Sequence, residues 1–144
     1  MKRFQFSLEK VRDWRKLQQE TERARLEMLI ADRFRLEQNM SYVDRERREA
    51  EQAALLSADA LQLGALDDFR HYLARKKLKL AAERLQISDR IDQQRRRLVE
   101  AQRNTKVLDT LKGKALEQWQ RQFDKELEEQ AAETALYRWR RRAA

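Results

Sequence analysis

A general base or hydroxyl nucleophile would first be sought at His71, the only histidine, or at Ser7, Ser41, Ser57 and Ser88. None of the serines sits in a strand-turn-helix nucleophile context. His71 lies in Asp68-Phe69-Arg70-His71-Tyr72, and one imidazole cannot build a multi-histidine metal site, so it reads as a surface or packing residue. With no cysteine there is no disulfide, thiolate zinc site or thiol nucleophile. A phosphate-cradling loop needs clustered glycines, and Gly64 and Gly113 are alone and far apart. Carboxylate acid–base chemistry needs a cleft that shifts a pKa, which two long helices do not supply. The expectation is a non-enzyme with no cofactor and no metal.

What remains is the chemistry of recognition. Phe4, Phe6, Trp14, Trp119, Phe123, Tyr137 and Trp139 gather toward the two chain ends, and Tyr42, Phe69 and Tyr72 lie nearer the middle. Trp14, Trp119 and Phe123 are expected to fill a helix–helix seam. Phe4, Phe6, Tyr137 and Trp139 have no obvious intramolecular partner, and aromatics with arginine are the usual material of interface hot spots. Basic clusters occur at Arg75-Lys76-Lys77-Leu78-Lys79, at Arg95-Arg96-Arg97 and at Arg138 with Arg140-Arg141-Arg142. They could attract phosphate. Yet they are spread along the chain, and the Leu66–Leu80 heptads precede most of them, the reverse of a basic-zipper protein. Nucleic-acid binding is therefore the weaker reading, and no nucleic-acid partner is expected.

The elements that carry these side chains follow from composition. The 144 residues include two Gly and no Pro, with 33 Lys+Arg against 25 Asp+Glu and a net charge of +8. Turns in sheet folds need Gly, Pro and Asn, so this chain is all-α. Charged residues are 40% of it and apolar residues 41%, which suits long helices or a coiled coil and not a disordered chain. No apolar stretch resembles a signal peptide or approaches the roughly 18 residues of a membrane span. A cytoplasmic protein is expected.

A single break is expected near Gly64, which can end a helix in the left-handed conformation, with Asp67 and Asp68 in the first turn of the next helix. One coiled-coil domain over 1–144 would then hold a helix over about 5–57, a turn over about 58–65 and a helix over about 66–140. In the second helix Leu66, Leu73, Leu80, Ile87, Gln94, Ala101, Leu108 and Ala115 recur every seven residues, and Ile91, Leu98 and Thr105 stand four after Ile87 and its successors. These approximate the a and d seam of a coiled coil, interrupted by Gln94. In the first helix Leu17, Ala24 and Ala31 keep one phase, beside Trp14 and Met28, and Leu36, Met40 and Val43 follow in another. Neither helix is apolar enough to stand alone, so the fold expected is a long antiparallel two-helix hairpin. A bend near residue 61 sets Leu8 opposite Lys114, and residues beyond about 120 overhang. Asp44–Arg48 and Asp92–Arg96 are read as i,i+4 surface pairs.

The order of these features resembles the FliJ family of flagellar type III export proteins and its YscO-like relatives in virulence secretion. Phe4-x-Phe6-x-Leu8-x-x-Val11-x-x-x-Arg15 is similar to the family's N-terminal signature. Gly64 followed by Phe69-x-x-Tyr72-Leu73 resembles its glycine and aromatic stretch, and Lys106-Val107-Leu108-x-x-Leu111-Lys112-x-Lys114 and Gln130-x-x-x-Glu133-x-Ala135 also look like it. Two departures are Trp119, where Phe123 is the more usual aromatic, and the arginine-rich end.

The resemblance implies a stalk-like coiled coil that acts in flagellum biogenesis and protein transport. Such a protein binds and promotes assembly of the hexameric export ATPase FliI, contacts the export gate protein FlhA and escorts export chaperones. It would lie in the cytoplasm, held to the membrane-bound export apparatus only through its partners. The ATPase-facing candidates are Phe4, Phe6, Leu8, Trp119, Tyr137, Trp139, Arg140, Arg141 and Arg142. The gate-facing candidates are Tyr42, Phe69, Tyr72 and Leu73.

Overall fold

Helix α1 runs Glu9–Leu56 and helix α2 Ala60–Ala143 in the computed structural model, which describes residues 2–56 and 59–144. The end of the first helix expected at Ser57 and the start of the turn expected at Ala58 lie outside the described residues. At the start of α1, the Glu9 N–H donates to the Phe6 carbonyl (3.2 Å) and the Arg12 N–H to the Leu8 carbonyl (2.9 Å). Glu9 places an acidic group in the first turn, where it suits the helix dipole.

Helix α2 begins six residues earlier than the glycine reading expects. Asp59 is its cap: the side chain accepts the Leu61 N–H (3.1 Å), and the carbonyl accepts the Leu63 N–H (3.0 Å). A side-chain oxygen at this position satisfies a helix-end donor and typically contributes about 1 kcal/mol. Gly64 is therefore helical, and no described glycine has positive φ. A glycine inside a helix costs only about 1 kcal/mol relative to alanine, too little to override the cap. Asp67 is not in a first turn; it pairs with Arg70 at 3.1 Å and faces His71 Nε2 at 3.5 Å.

The two helices pack against each other as an antiparallel hairpin, and no strand occurs among the described residues. Packing divides into two units, Thr21–Val99 and a terminal unit of Met1–Glu20 with Glu100–Ala144. In the Thr21–Val99 unit Leu36, Val43, Leu73 and Leu80 form the core, with Met40 and Ile87 against it, and Ile91 and Ala50 are also buried. Ion pairs flank this seam: Lys77 Nζ lies 2.7 Å from Asp44 and Arg84 Nη2 3.4 Å from Glu37. Seven residues forward on α2 pair with seven residues back on α1, the signature of antiparallel heptads.

The α2 seam is the one its spacing indicates. Leu73, Leu80, Ile91, Gln94, Thr105 and Leu108 are buried, and Leu66, Ile87, Leu98, Ala101 and Ala115 are half-buried. On α1 the phase of Leu36 and Val43 is the buried one, continuing to Ala50 and, partly buried, back through Leu29 and Glu22 to Arg15. The other phase faces outward: Trp14, Leu17 and Met28 are 51%, 65% and 69% exposed, and Ala24 and Ala31 are exposed. Trp14 is thus no seam residue; its ring packs under the Arg15 guanidinium at 4.9 Å.

Gln94 does more than interrupt the seam. Its buried amide donates to the Glu22 carbonyl (3.0 Å) and to the Glu22 carboxylate across the helices. A buried polar pair of this kind specifies register in coiled coils at a cost in stability. Asp44 reaches across to Lys77, so Arg48 bonds the Asp44 backbone carbonyl instead (3.4 Å). Asp92 pairs with Arg95, three residues on (3.9 Å), rather than with Arg96.

Candidate protein-interaction surfaces

In the terminal unit a non-helical segment precedes α1 and lies on α2. The Trp119 indole N–H donates to the Lys2 carbonyl (3.2 Å), and the Phe4 ring meets Trp119 at 5.9 Å between centroids, tilted by 60°. Trp119 stacks on Phe123 at 5.3 Å, one helical turn on. Trp119 and Phe123 are half-buried but do not fill a helix–helix seam as expected: Trp119 packs against Phe4 and Lys2 of the segment before α1, and Phe123 against Trp119. Offset aromatic pairs of this geometry are worth about 0.5–1.5 kcal/mol each beyond area burial. Phe6 is half-buried like Phe4 and lines a shallow depression with Arg3, Lys10 and Lys112; Leu8 is 39% exposed.

Below this aromatic clasp the seam is ionic. Lys112 Nζ lies 2.9 Å from Glu9 Oε2, Arg12 Nη1 3.2 Å from Glu9 Oε1, and Arg12 Nε donates to Asp109 at 2.6 Å. The Lys112 ammonium holds the Glu9 carboxyl below the usual carboxylate range, and the bond to Asp109 raises the Arg12 guanidinium. In the other unit the Lys77 hydrogen bond likewise lowers Asp44. A carboxyl depressed by folding adds stability that is complete above its unfolded pKa, about 4. That stability is lost as pH falls through the lower folded value. Thermal unfolding followed by circular dichroism from pH 6 down to pH 2 should therefore lose midpoint temperature below about pH 4, and the combined Glu9→Gln and Asp44→Asn variant should lose less over the same span. An equal acid slope in both proteins would refute this assignment.

Tyr137, Trp139, Arg140, Arg141 and Arg142 lie on the last turns of α2, all exposed. They do not join the Phe4–Trp119–Phe123 cluster. Three of the arginines fall in the last turn, where cations favour the helix dipole.

The gate-facing candidates separate in the Thr21–Val99 unit. Leu73 is fully buried in the seam, so it supports the surface from beneath and offers nothing to a partner. Phe69 and Tyr72 are 40% and 51% exposed and stack at 6.3 Å, interplanar angle 24°. Tyr72 borders a depression lined by Arg75, Lys76, Lys79 and Glu83, and Tyr42 borders a separate one on α1 with Phe34, Gln38 and Arg45. The Tyr42 hydroxyl bonds Glu46, which raises its pKa. Phe34, 59% exposed, is a surface aromatic that the heptad series does not mark. Its place on the face opposite Leu36 and Val43 could have been found once the buried phase was fixed.

The geometry defines a class: a two-helix coiled coil whose candidate sites are exposed aromatic and cationic faces. No helix of the described residues is long and apolar enough to cross a membrane. No protein-family model, curated protein or solved structure matches the chain.

Proposed function

We propose that the chain is a non-enzymatic, stalk-like component of a flagellar or related type III export apparatus, which binds the hexameric export ATPase through its terminal unit and the export gate through Phe69, Tyr72 and Tyr42. The observation that supports this most is the aromatic clasp. Phe4, which opens the family-like signature, lies against α2 at Trp119, which stacks on Phe123; Phe6 lines the depression beside Lys112, and the helix beyond Phe123 is exposed. A stalk has no chemistry of its own, so it acts by binding an assembled ring better than free subunits, which shifts the assembly equilibrium.

The test is ATPase turnover at a series of ATPase concentrations, with and without this chain. Cutting the chain after Glu129 removes Tyr137, Trp139 and the arginines while leaving the seam whole. Stimulation should fall, most at low ATPase concentration, where assembly limits turnover. Equal stimulation by the truncated and full chains at every concentration would reject the assignment of the α2 end.

The gate contact is tested separately. Phe69 and Tyr72 are half-exposed, so replacing both by Ala should reduce binding to the export gate at least tenfold, the loss of about 1.4 kcal/mol or more typical of interface anchors. Helicity should stay near that of the parent. Unchanged gate binding by a folded double variant would remove these residues from the interface.

A further inference from the structure

The charged side chains at the end of α2 have no ion-pair partner among the described residues. Residues 124–143 are all exposed, and no ion pair involves a charged side chain beyond Lys112 among the described residues. The charges are also segregated. Asp124, Glu126, Glu128, Glu129 and Glu133 precede Arg138, Arg140, Arg141 and Arg142, with Lys125 the only exception. Along the helix this creates like-charge i,i+4 neighbours at Asp124–Glu128, Glu129–Glu133 and Arg138–Arg142, each mildly destabilising. Such a helix needs a packing partner.

At 3.6 residues per turn, Asp124, Leu127, Glu128, Ala131, Ala135, Arg138, Trp139 and Arg142 fall on one face. That face is acidic at one end, small in the middle and basic at the other. It is complementary to itself reversed. An acidic partner would meet the arginines but be repelled by the carboxylates, and a nucleic acid would meet the same repulsion.

We propose that residues 124–142 pair with the same segment of a second copy of this chain, antiparallel, about a two-fold axis level with Glu133. This alignment sets Asp124 level with Arg142, Glu128 with Arg138 and Leu127 with Trp139, each pair occurring twice by symmetry. Ala131 lies level with Ala135, small enough for the backbones to approach closely. Leu127 and Trp139, 48% and 67% exposed in the single chain, gain cover. A two-fold contact of one patch with itself closes and adds no further copies. The face is about 28 Å long, short of the area a tight complex buries, so association is weak and salt-sensitive. Trp139 and Arg142 also belong to the surface offered to the ATPase, which makes self-pairing and ATPase binding competing uses of one helix end.

Sedimentation velocity of the full chain in low salt should show monomer–dimer exchange at about 10–100 µM, shifting to monomer as salt rises. Arg138→Glu with Arg142→Glu makes every level charge pair acidic, and Asp124→Arg with Glu128→Arg makes every one basic. Each double variant alone should stay monomeric, with helicity close to the parent. An equimolar mixture of the two should dimerise, because their faces are complementary to each other. A parent chain that stays monomeric at 100 µM in low salt, a double variant that dimerises like the parent, or a mixture that fails to associate would each overturn the pairing.

Discussion

Replacing Leu73 by Ala is expected to destabilise the hairpin by about 2–5 kcal/mol, whereas Leu17→Ala should change stability by less than about 0.5 kcal/mol. Leu73 is 0% exposed and packs among Leu36, Val43 and Leu80. Its truncation loses apolar burial and leaves a cavity that neighbouring helices cannot collapse without moving. Leu17 is 65% exposed and leaves no void when shortened. Both are leucines at heptad spacing, so composition does not separate them; only the phase of the seam does. Urea unfolding followed by circular dichroism would measure both. Comparable losses for the two variants would mean that Leu17 and not Glu22 and Leu29 lies on the packed face of α1.

The second large effect is expected at Trp119. Its side chain stacks on Phe123, meets Phe4 edge-tilted and donates to the Lys2 carbonyl. Trp119→Ala removes all three contacts at once and frees the segment before α1. The consequence is local: trypsin should cut after Lys2, Arg3 or Lys10 several times faster than in the parent, while the core around Leu73 unfolds at nearly the parent temperature. Trp119→Phe keeps the ring and loses the N–H, and should restore most of the protection. Equal cleavage rates for all three proteins would mean that the Phe4 segment is not held by this ring.

The difference between the helices explains what could be read in advance. On α2 the apolar series from Leu66 to Ala115 is long, and its phase survives the polar Gln94 and Thr105, so the buried face was legible throughout. On α1 the buried phase passes through Arg15 and Glu22, whose stems pack while their polar ends find partners, and a hydrophobicity pattern cannot see such residues. Leu17, Ala24 and Ala31 then offer a cleaner apolar repeat on the wrong face. The start of α2 at Ala60, earlier than the glycine suggests, has a related reason: Gly64 is the more conspicuous signal, but Asp59, an ordinary charged residue, makes the hydrogen bond that starts the helix. The terminal aromatics were visible as a group, yet their division into a clasp at Trp119 and free rings at Tyr137 and Trp139 depends on where α1 begins.

The Gln94–Glu22 contact has a mechanical meaning. Two helices zipped by leucines alone have several resting positions, one per seven-residue slip, with nearly equal energy. Slipping α2 by one such step would carry Gln94 from Glu22 to the level of Leu29 in one direction or Arg15 in the other. Either slip takes the Gln94 N–H away from the Glu22 carboxylate, a charged acceptor that neither the Leu29 nor the Arg15 side chain supplies, and a hydrogen bond to a charged group is worth about 1.5–3 kcal/mol. The pair therefore acts as a detent. Sliding of α1 along α2 is thereby opposed at this contact in the Thr21–Val99 unit.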